Sequence, residues 1–279
     1  MANPGSQNIN AFPLNAGGTL TSVSGQPFSN GPYQPYFLVS DLSGKFLYAS
    51  ANGSPIISGY SINSTTGALT SLGTPTVTVG NTAGLAVAPN GSGQCLYVAI
   101  PGGGQVQTYQ INPSSGALTL LGSYVLTSGT GTIALAADPG GRFLYAVNQT
   151  SKSVSAFSIS PTSGALTLAG LQNSVGSSPV AAAVDPVSGL FLDVADSAGF
   201  VYAYTINQTT GLLTPAGSYT ATNATSLSVD PTGQWLYVAT GSSGTVNSFQ
   251  INRTTGALSP LTNTVMGGTT VSITTVGPW

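Results

Sequence analysis

One short turn motif recurs along the whole chain at nearly even intervals. A degenerate copy, N-A-G-G-T-L-T, covers 15–21. Five closer copies follow: T-T-G-A-L-T from Thr65, S-S-G-A-L-T from Ser114, T-S-G-A-L-T from Thr162, T-T-G-L-L-T from Thr209 and T-T-G-A-L-S from Thr254. With their glycines aligned, successive copies are 49, 49, 48, 47 and 45 residues apart. A period of about 40 to 50 residues without a helical pattern is typical of propellers and other arrays of small sheets.

Each period contains four short runs that read as strands. In the repeat that begins at Thr225 they are S-L-S-V, W-L-Y-V-A, T-V-N-S-F-Q-I-N and A-L-S-P-L. These runs are rich in β-branched and aromatic residues and are bounded by Gly, Pro and Asp, as strands are. D-P-T-G has the residues of a type I turn, and the glycine of the recurring motif is expected at positive φ. The sequence therefore predicts an all-β chain, a β-propeller of four-stranded antiparallel blades.

The second-strand runs point to a known family. F-L-Y-A-V-N from Phe143, W-L-Y-V-A from Trp235 and C-L-Y-V-A from Cys95, together with the T-G-A-L-T turns, resemble the YVTN and lactonase-type (6-phosphogluconolactonase-like) β-propeller family. The resemblance covers essentially the whole chain, so we expect a single propeller domain over 1–279. It implies a fold that usually has seven blades, and a family that includes lactonases and muconate-cyclising enzymes.

Counting the repeats predicts six blades instead of seven. Five second strands are complete. The last blade is then shared by the two ends of the chain: its first strand comes from Val271–Val276 and its third and fourth from 7–23. Its second strand is apparently missing, except for a trace at Met1–Asn3. Because a sheet that lacks a strand exposes unpaired backbone groups, we expect self-association, or binding to other surface proteins, through this incomplete blade.

The chain carries very little charge. Four Lys or Arg and six Asp, with no Glu or His, make up 4% of the residues, against about 25% in an ordinary soluble domain. Four scattered cations do not neutralise many phosphates, so we expect no nucleic-acid partner. There is no apolar run of 18 residues, so no membrane span is expected. The N-terminal M-A-N-P is no signal peptide, and a secreted form would have lost its signal before this numbering begins.

Three charged residues fall outside the repeat pattern and are the candidate ligand-binding residues: Lys152, Asp193 and Asp196. Asp193 replaces the Tyr of the second strand, and a carboxylate inside a packed sheet is costly unless it is paired or reaches water. Asp196 ends the same strand, and Lys152 lies in the matching loop of the preceding blade. A local salt link or a solvated loop is the alternative to a ligand role.

The other charged residues recur at repeat positions. We interpret four aspartates as caps of the turn before the second strand: Asp41, Asp138, Asp185 and Asp230. Lys45 and Arg142 are interpreted as solvated surface, and Arg253 as an exposed turn. Cys95 stands where other blades have Phe or Trp, so we expect it in the core.

No catalytic residue is assigned from the sequence. Lactone hydrolysis needs a base to activate water and a cation to hold the developing oxyanion. The family's enzymes, as the resemblance implies, draw these from His, Arg and Glu near the central channel. This chain has no His or Glu, and both arginines fall in repeat turns. A single cysteine excludes a multi-cysteine zinc site, and no aspartate-rich loop has calcium-binding spacing, so no metal or cofactor is predicted.

These observations favour a non-catalytic extracellular propeller, secreted or at the cell surface, that acts as a structural, adhesive or self-assembling module and forms filaments by strand donation. A net charge of −2 offers little repulsion between copies. So few titrating groups predict a stability that hardly changes between mildly acidic and neutral pH. Two alternatives stay open: a lactonase-like cyclic-ester hydrolase, and a propeller that binds small ligands or glycans. Seven N-x-S/T sequons would also allow glycans on an exported chain.

Overall fold

The protein has an all-β, propeller-like fold. The computed structural model describes residues 2–12, 22–122, 125–241 and 244–265. In these ranges the strands form six sheets, and each sheet is antiparallel in chain order. The helical segments there are two single 3₁₀ turns, Pro4–Ser6 and Pro101–Gly103, and no helix among the described residues is long and apolar enough to cross a membrane.

We number the sheets 1 to 6 along the chain. Sheet 1 has three two-residue strands, and sheets 2 to 6 have four main strands each, to which sheets 2, 3 and 6 add a short strand against the third. The strands are Ala2–Asn3, Asn8–Ile9 and Phe28–Ser29 in sheet 1; Pro35–Ser40, Phe46–Ala51, Ile56–Ile62, Leu69–Ser71 and Thr76–Val77 in sheet 2; Leu85–Asn90, Gly93–Ile100, Gln105–Ile111, Leu118–Leu120 and Val125–Leu126 in sheet 3; Thr132–Ala137, Phe143–Asn148, Ser153–Ile159 and Leu166–Asn173 in sheet 4; Pro179–Val184, Phe191–Asp196, Phe200–Ile206 and Leu213–Thr220 in sheet 5; and Ala224–Val229, Trp235–Thr240, Thr245–Ile251, Leu258–Pro260 and Thr264–Val265 in sheet 6.

The hydrophobic core lies between consecutive sheets. Cys95 and Tyr97 of sheet 3, for example, pack with Leu144 and Phe157 of sheet 4, and similar clusters join each later pair of sheets. Second strands are the most buried, whereas fourth strands alternate between exposed and half-buried residues. The first strands of neighbouring sheets lie against one another. A four-stranded sheet therefore buries its two faces on its neighbours, as propeller blades do. The prediction that Cys95 belongs to the core is confirmed, because it is fully buried.

A tyrosine hydroxyl ties each of three sheets to the next. Tyr48 donates a hydrogen bond to the carbonyl of Gly116 at 2.7 Å, and Tyr97 donates to the carbonyl of Gly164 at 2.9 Å. Tyr145 repeats the contact with Gly211 at 2.9 Å. The acceptors are glycines of the recurring turn. The turn thus closes its own hairpin and also accepts a hydrogen bond from the preceding sheet.

The glycine of this turn meets two independent requirements. Gly211 has φ +73°, which confirms the positive φ expected from the sequence. A Cβ added to it would lie 2.5 Å from Cδ1 of Phe143 in the preceding sheet. The same close approach to the second strand of the preceding sheet occurs at Gly116 and Gly256. A side chain here would therefore be strained locally and would also push two sheets apart.

Sheet 1 occupies the place of the blade that the sequence assigns to both chain ends. Ala2–Asn3 pairs with Asn8–Ile9, so the predicted trace of a second strand is a short strand. Phe28–Ser29 pairs with Asn8–Ile9 on the other side, a strand that the sequence did not predict. The predicted first strand at Val271–Val276 and most of the predicted fourth strand lie outside the described residues.

The first prediction concerns the glycine contact. Gly211→Ala should lower the free energy of unfolding by roughly 2–4 kcal/mol, because backbone strain and overpacking against Phe143 add up. Gly122→Ala is the matched control, since Gly122 also has positive φ but no atom lies within 4 Å of an added Cβ. It should lose only about 1 kcal/mol. Urea titration of both variants measures the difference, and equal losses would show that the inter-sheet contact contributes nothing.

Candidate functional site

Asp193 is a buried carboxyl group at an inter-sheet position. It pairs in register with Ala183 and Ala203, as Tyr145 pairs with two alanines in sheet 4. Its residue is 2% exposed, and its Oδ1 atom has no hydrogen-bond partner among the described residues. Asp193 thus occupies the strand position at which three other sheets have a tyrosine, whose hydroxyl group donates a hydrogen bond to a glycine carbonyl of the next sheet. In sheet 5 the corresponding hydrogen bond to Gly256 is absent, because an aspartate stands in place of the tyrosine.

The surroundings of Asp193 favour its neutral form. Burial, and to a smaller extent the nearby Asp185 carboxylate, together raise the pKa of this carboxyl to about 8. Asp185 behaves in the opposite way: burial acts to raise its pKa, but hydrogen bonds from Arg253 and Ser188 outweigh this effect and lower it. At neutral pH, Asp193 therefore holds its proton and Asp185 does not. This pair is the exception to the expectation that stability hardly depends on pH.

Asp196 caps a loop. Its Oδ1 accepts hydrogen bonds from the backbone N–H of Ser178 at 2.9 Å and of Ala198 at 2.8 Å, and its Oδ2 accepts one from Ser177 N–H at 2.7 Å. The residue is 1% exposed. These backbone donors account for a buried carboxylate without an ion pair.

Lys152 forms no ion pair with Asp193 or Asp196 in the described part of the chain. It is exposed, with φ +53°, in the turn between the second and third strands of sheet 4. The ion pairs among the described residues join other side chains, so the predicted salt link from Lys152 is not formed there. The structure brings Asp193 and Asp196 onto one strand but does not add Lys152 to them. Their role in ligand binding stays a prediction.

The four repeat aspartates cap their turns, as predicted. Asp230 Oδ1, for example, accepts hydrogen bonds from the backbone N–H of Gln234 and of Trp235, both at 2.7 Å. Asp41 binds its own turn and also the amide of Gln94 in the next sheet at 2.8 Å. The caps therefore stabilise the turns and, in part, the contacts between sheets.

Arg142 is exposed, as predicted, but both arginines also bind a buried aspartate, which the sequence did not predict. Arg142 forms a two-point ion pair with the buried carboxylate of Asp138, with Nη2 at 2.7 Å from Oδ1 and Nε at 3.0 Å from Oδ2. Arg253 reaches across from sheet 6 to Asp185 of sheet 5, with Nη1 at 2.8 Å from Oδ1. Both guanidinium groups also lie over a phenylalanine ring. Asp138 and Asp185 thus each have an arginine partner. Without it each would be an unpaired buried charge, which is costly.

Arg142 stands in a cleft where sheets 3, 4 and 5 meet. The cleft has a volume of about 530 Å³ and is widely open to solvent. Besides Arg142, its walls include Asn90 of sheet 3 and Gln208 and Thr209 of sheet 5. Gln208 Oε1 accepts a hydrogen bond from Arg142 Nη1 at 2.7 Å and so fixes the guanidinium from the side of the next sheet. The side chain of Arg142 remains 42% exposed, whereas that of Asp138 is fully buried.

This arrangement presents a fixed cation to a ligand. A guanidinium has five N–H donors, and three of those of Arg142 are bound by Asp138 and Gln208. One N–H group of Nη1 and one of Nη2 form no hydrogen bond with the described residues. Such a pair of donors suits a carboxylate or a developing oxyanion. In the described part of the chain, His, Cys, Asp and Glu side chains do not gather in threes as a metal site would need.

Comparison with known proteins identifies a family. The family described as lactonase, 7-bladed beta-propeller, matches residues 38–134, 125–227 and 204–275. No curated protein matches the sequence.

Solved structures show the same fold at low identity. A protein of Lactobacillus plantarum has a TM-score of 0.73 and 18% identity, over 95% of this chain and 80% of that one. A proposed 6-phosphogluconolactonase of Bacteroides uniformis has a TM-score of 0.65 and 18% identity, over 95% and 94%. The periplasmic gluconolactonase of Pseudomonas aeruginosa has a TM-score of 0.70 and 18% identity, over 85% and 71%. At this identity the likeness concerns the fold.

The second prediction concerns Asp193. Its folded-state pKa of about 8 lies above the unfolded value near 3.9. Between these values the native state binds more protons than the unfolded state, so stability falls as pH rises, by up to about 1.4 kcal/mol per pH unit. Asp193→Asn should flatten this decline between about pH 5 and 8, as measured by urea unfolding at each pH.

Asp230→Asn is the control for the pH series. Burial acts to raise the pKa of Asp230, but hydrogen bonds from Thr232 and from the backbone lower it. Its contribution to stability is therefore present above the unfolded pKa and is lost only as pH falls below it. This variant should keep the wild-type slope above about pH 5. A wild-type slope that survives in Asp193→Asn would refute the assignment.

Proposed function

The chain belongs to the lactonase, seven-bladed β-propeller family, and we propose that it hydrolyses a cyclic ester to the open hydroxy acid. The observation that carries this proposal is the family match, which extends from residue 38 to residue 275. The names of the neighbours in Bacteroides uniformis and Pseudomonas aeruginosa support it. The cleft at Arg142 supplies a concave site with a fixed cation.

The expectation of a non-catalytic structural or adhesive module is wrong. It rested on the absence of His and Glu and on the low charge of the chain. The family match and the lactonase-like neighbours favour a hydrolase instead. The absence of His and Glu does not exclude catalysis, because ester hydrolysis is also accelerated by fixed hydrogen-bond donors, which other residue types supply.

The proposed reaction begins with the attack of water on the ring carbonyl. The carbon–oxygen double bond opens, and the negative charge that develops on the carbonyl oxygen is held by the two remaining N–H donors of Arg142. The bond to the ring oxygen then breaks, and the ring oxygen takes one of the two protons of the attacking water. The other proton is released to solvent as the product acid ionises, and the product carboxylate stays on the same guanidinium. Arg142 thus stabilises charge that is absent in the substrate, which is the condition for catalysis.

Neighbouring groups hold Arg142 in place. Asp138 binds two of its N–H groups, and Gln208 binds a third from the adjacent sheet. Asp138 is fully buried and already occupied by Arg142, so it positions the guanidinium and does not activate water. Binding and oxyanion stabilisation alone give rate enhancements of about 10³-fold in other acyl-transfer enzymes. We propose that the cleft works in this way.

We also propose a single propeller domain over 1–279, with a sixth blade shared by the chain ends. The two-residue strands Ala2–Asn3 and Asn8–Ile9 support this proposal, and Ala2–Asn3 lies against the first strand of sheet 2. The family description specifies seven blades, so counting blades in electron-microscopy class averages is the direct test. Export across a membrane is proposed from the periplasmic location of the Pseudomonas aeruginosa neighbour. Self-association or binding to other surface proteins through the incomplete blade stays a prediction, as does the binding of glycans.

The third prediction tests the hydrolase. Replacing Arg142 alone would leave Asp138 buried and unpaired and would destabilise the fold, so the test uses the double variant Asp138→Asn, Arg142→Gln. Its kcat/KM for D-glucono-δ-lactone should fall at least about 100-fold, as when an oxyanion donor is removed. Loss of the lactone is followed by pH-stat titration of the acid released, above the rate without protein.

The matched control is the double variant Asp185→Asn, Arg253→Gln. It removes the equivalent ion pair and ring contact from sheets 5 and 6, outside the cleft. It should keep kcat/KM within a few-fold of wild type. Hydrolysis that is unaffected by the Arg142 variant would refute the cleft as the site. No hydrolysis of any lactone by the folded wild-type chain would refute the function.

A further inference from the structure

We infer that the cleft at Arg142 selects an uncharged lactone and discriminates against the same lactone carrying a phosphate. The inference rests on the proposed function and adds the chemical class of the substrate. It follows from where the four cations of the chain lie and from what each of them binds. All four lie within the described residues.

The cleft has a cation but little net positive charge. The guanidinium of Arg142 is paired with the carboxylate of Asp138, two of whose contacts are 2.7 and 3.0 Å long. The carboxylate is buried directly behind the guanidinium, so the pair is neutral as a unit. A phosphate dianion would lose its hydration on entry and would meet a neutral pair instead of a positive field.

The other cations are held elsewhere. Lys45 and Arg253 belong to turns on the same side of the sheets as Arg142, but they lie in sheets 2 and 6, whereas the cleft is formed by sheets 3, 4 and 5. Arg253 is also bound to Asp185. Lys152 lies in a turn at the opposite end of its strands. Arg253 does come near Arg142. Its Nη2 lies 3.4 Å from Ser188 Oγ, and a Cβ on the next residue, Gly189, would lie 3.0 Å from Arg142 Nη2. The charge of Arg253 is nevertheless paired with Asp185, so a second, unpaired cation is not brought to Arg142.

The remaining walls carry no charge. Thr209 is exposed. The amides of Asn90 and Gln208 already form hydrogen bonds within the chain: Asn90 Nδ2 donates to Cys95 Sγ and Gln110 Oε1, and Gln208 Nε2 donates to the carbonyls of Gly189 and Ile206. Gly140, Gly141 and two prolines complete the surface with backbone and ring atoms. A neutral lactone is therefore desolvated in this cleft at a lower cost than a phosphate dianion, which finds no unpaired cation there.

The test compares D-glucono-δ-lactone with its 6-phosphate ester at one pH and ionic strength. The wild-type kcat/KM should be at least tenfold higher for the uncharged lactone. Thr209→Lys places a cation beside Arg142 and should narrow this ratio by at least threefold at low salt. At high salt the ratio of kcat/KM for the two lactones in this variant should return toward the wild-type ratio, because salt screens the added charge.

Thr254→Lys is the matched control. Thr254 occupies the same position of the recurring turn in sheet 6, where it is exposed like Thr209, and the backbone N–H of each donates to the turn asparagine. The added charge is the same but lies outside the cleft, so the ratio should stay within twofold of wild type.

Two outcomes would overturn the inference, and they differ in what else they affect. A higher kcat/KM for the phosphorylated lactone, or equal narrowing by both lysine variants, refutes the selectivity and leaves lactone hydrolysis standing. Backbone N–H groups of the glycine turns would then be the natural holders of the phosphate. Failure to hydrolyse either lactone refutes the proposed function and therefore also the inferred selectivity.

Discussion

The structure depends on one contact that joins each of sheets 2, 3 and 4 to the next sheet. A tyrosine hydroxyl from a second strand donates to the carbonyl of a turn glycine in the following sheet, and a ring or a thiol of the same strand fills the space where that glycine has no Cβ. A thin sheet cannot bury its faces alone, so its stability comes from its neighbours. The turn is repeated because the second strand of one sheet packs against the turn glycine of the next sheet.

Two ionisable groups are held by the repeating scaffold in unusual surroundings. Asp193 takes the place of a tyrosine and leaves a buried carboxyl between sheets 5 and 6, where it favours its protonated form. Arg142 takes a turn position and closes onto a buried aspartate at the edge of a cleft. In both places a charged group is held by a scaffold whose geometry the repeats have already fixed. A preorganised cation of this kind is what oxyanion stabilisation needs.

The fold was largely predictable from the sequence, and the site only partly. The turn glycines and the aspartate caps follow from local chain geometry, and the structure confirms both. The ion pair of Arg142 was not predicted, because its four-residue spacing from Asp138 is shared by Asp41 and Lys45. The two turns differ in the side chains that the next sheet brings to them. Gln208 accepts a hydrogen bond from Arg142, whereas Gln94 donates a hydrogen bond to Asp41. Spacing along one turn does not reveal which side chain an adjacent sheet supplies.

The sequence by itself determined the strand pattern, the turns and the repeating unit, since these depend on residues within a few positions of one another. The tertiary structure decided which residues face each other across the sheets. The tyrosine and glycine partners are 66 to 68 residues apart, and Arg142 and Gln208 are also 66 apart. Such contacts exist only once sheets have docked, because packing sets burial and pairing, and these fix the charge state of Asp193 and the orientation of Arg142.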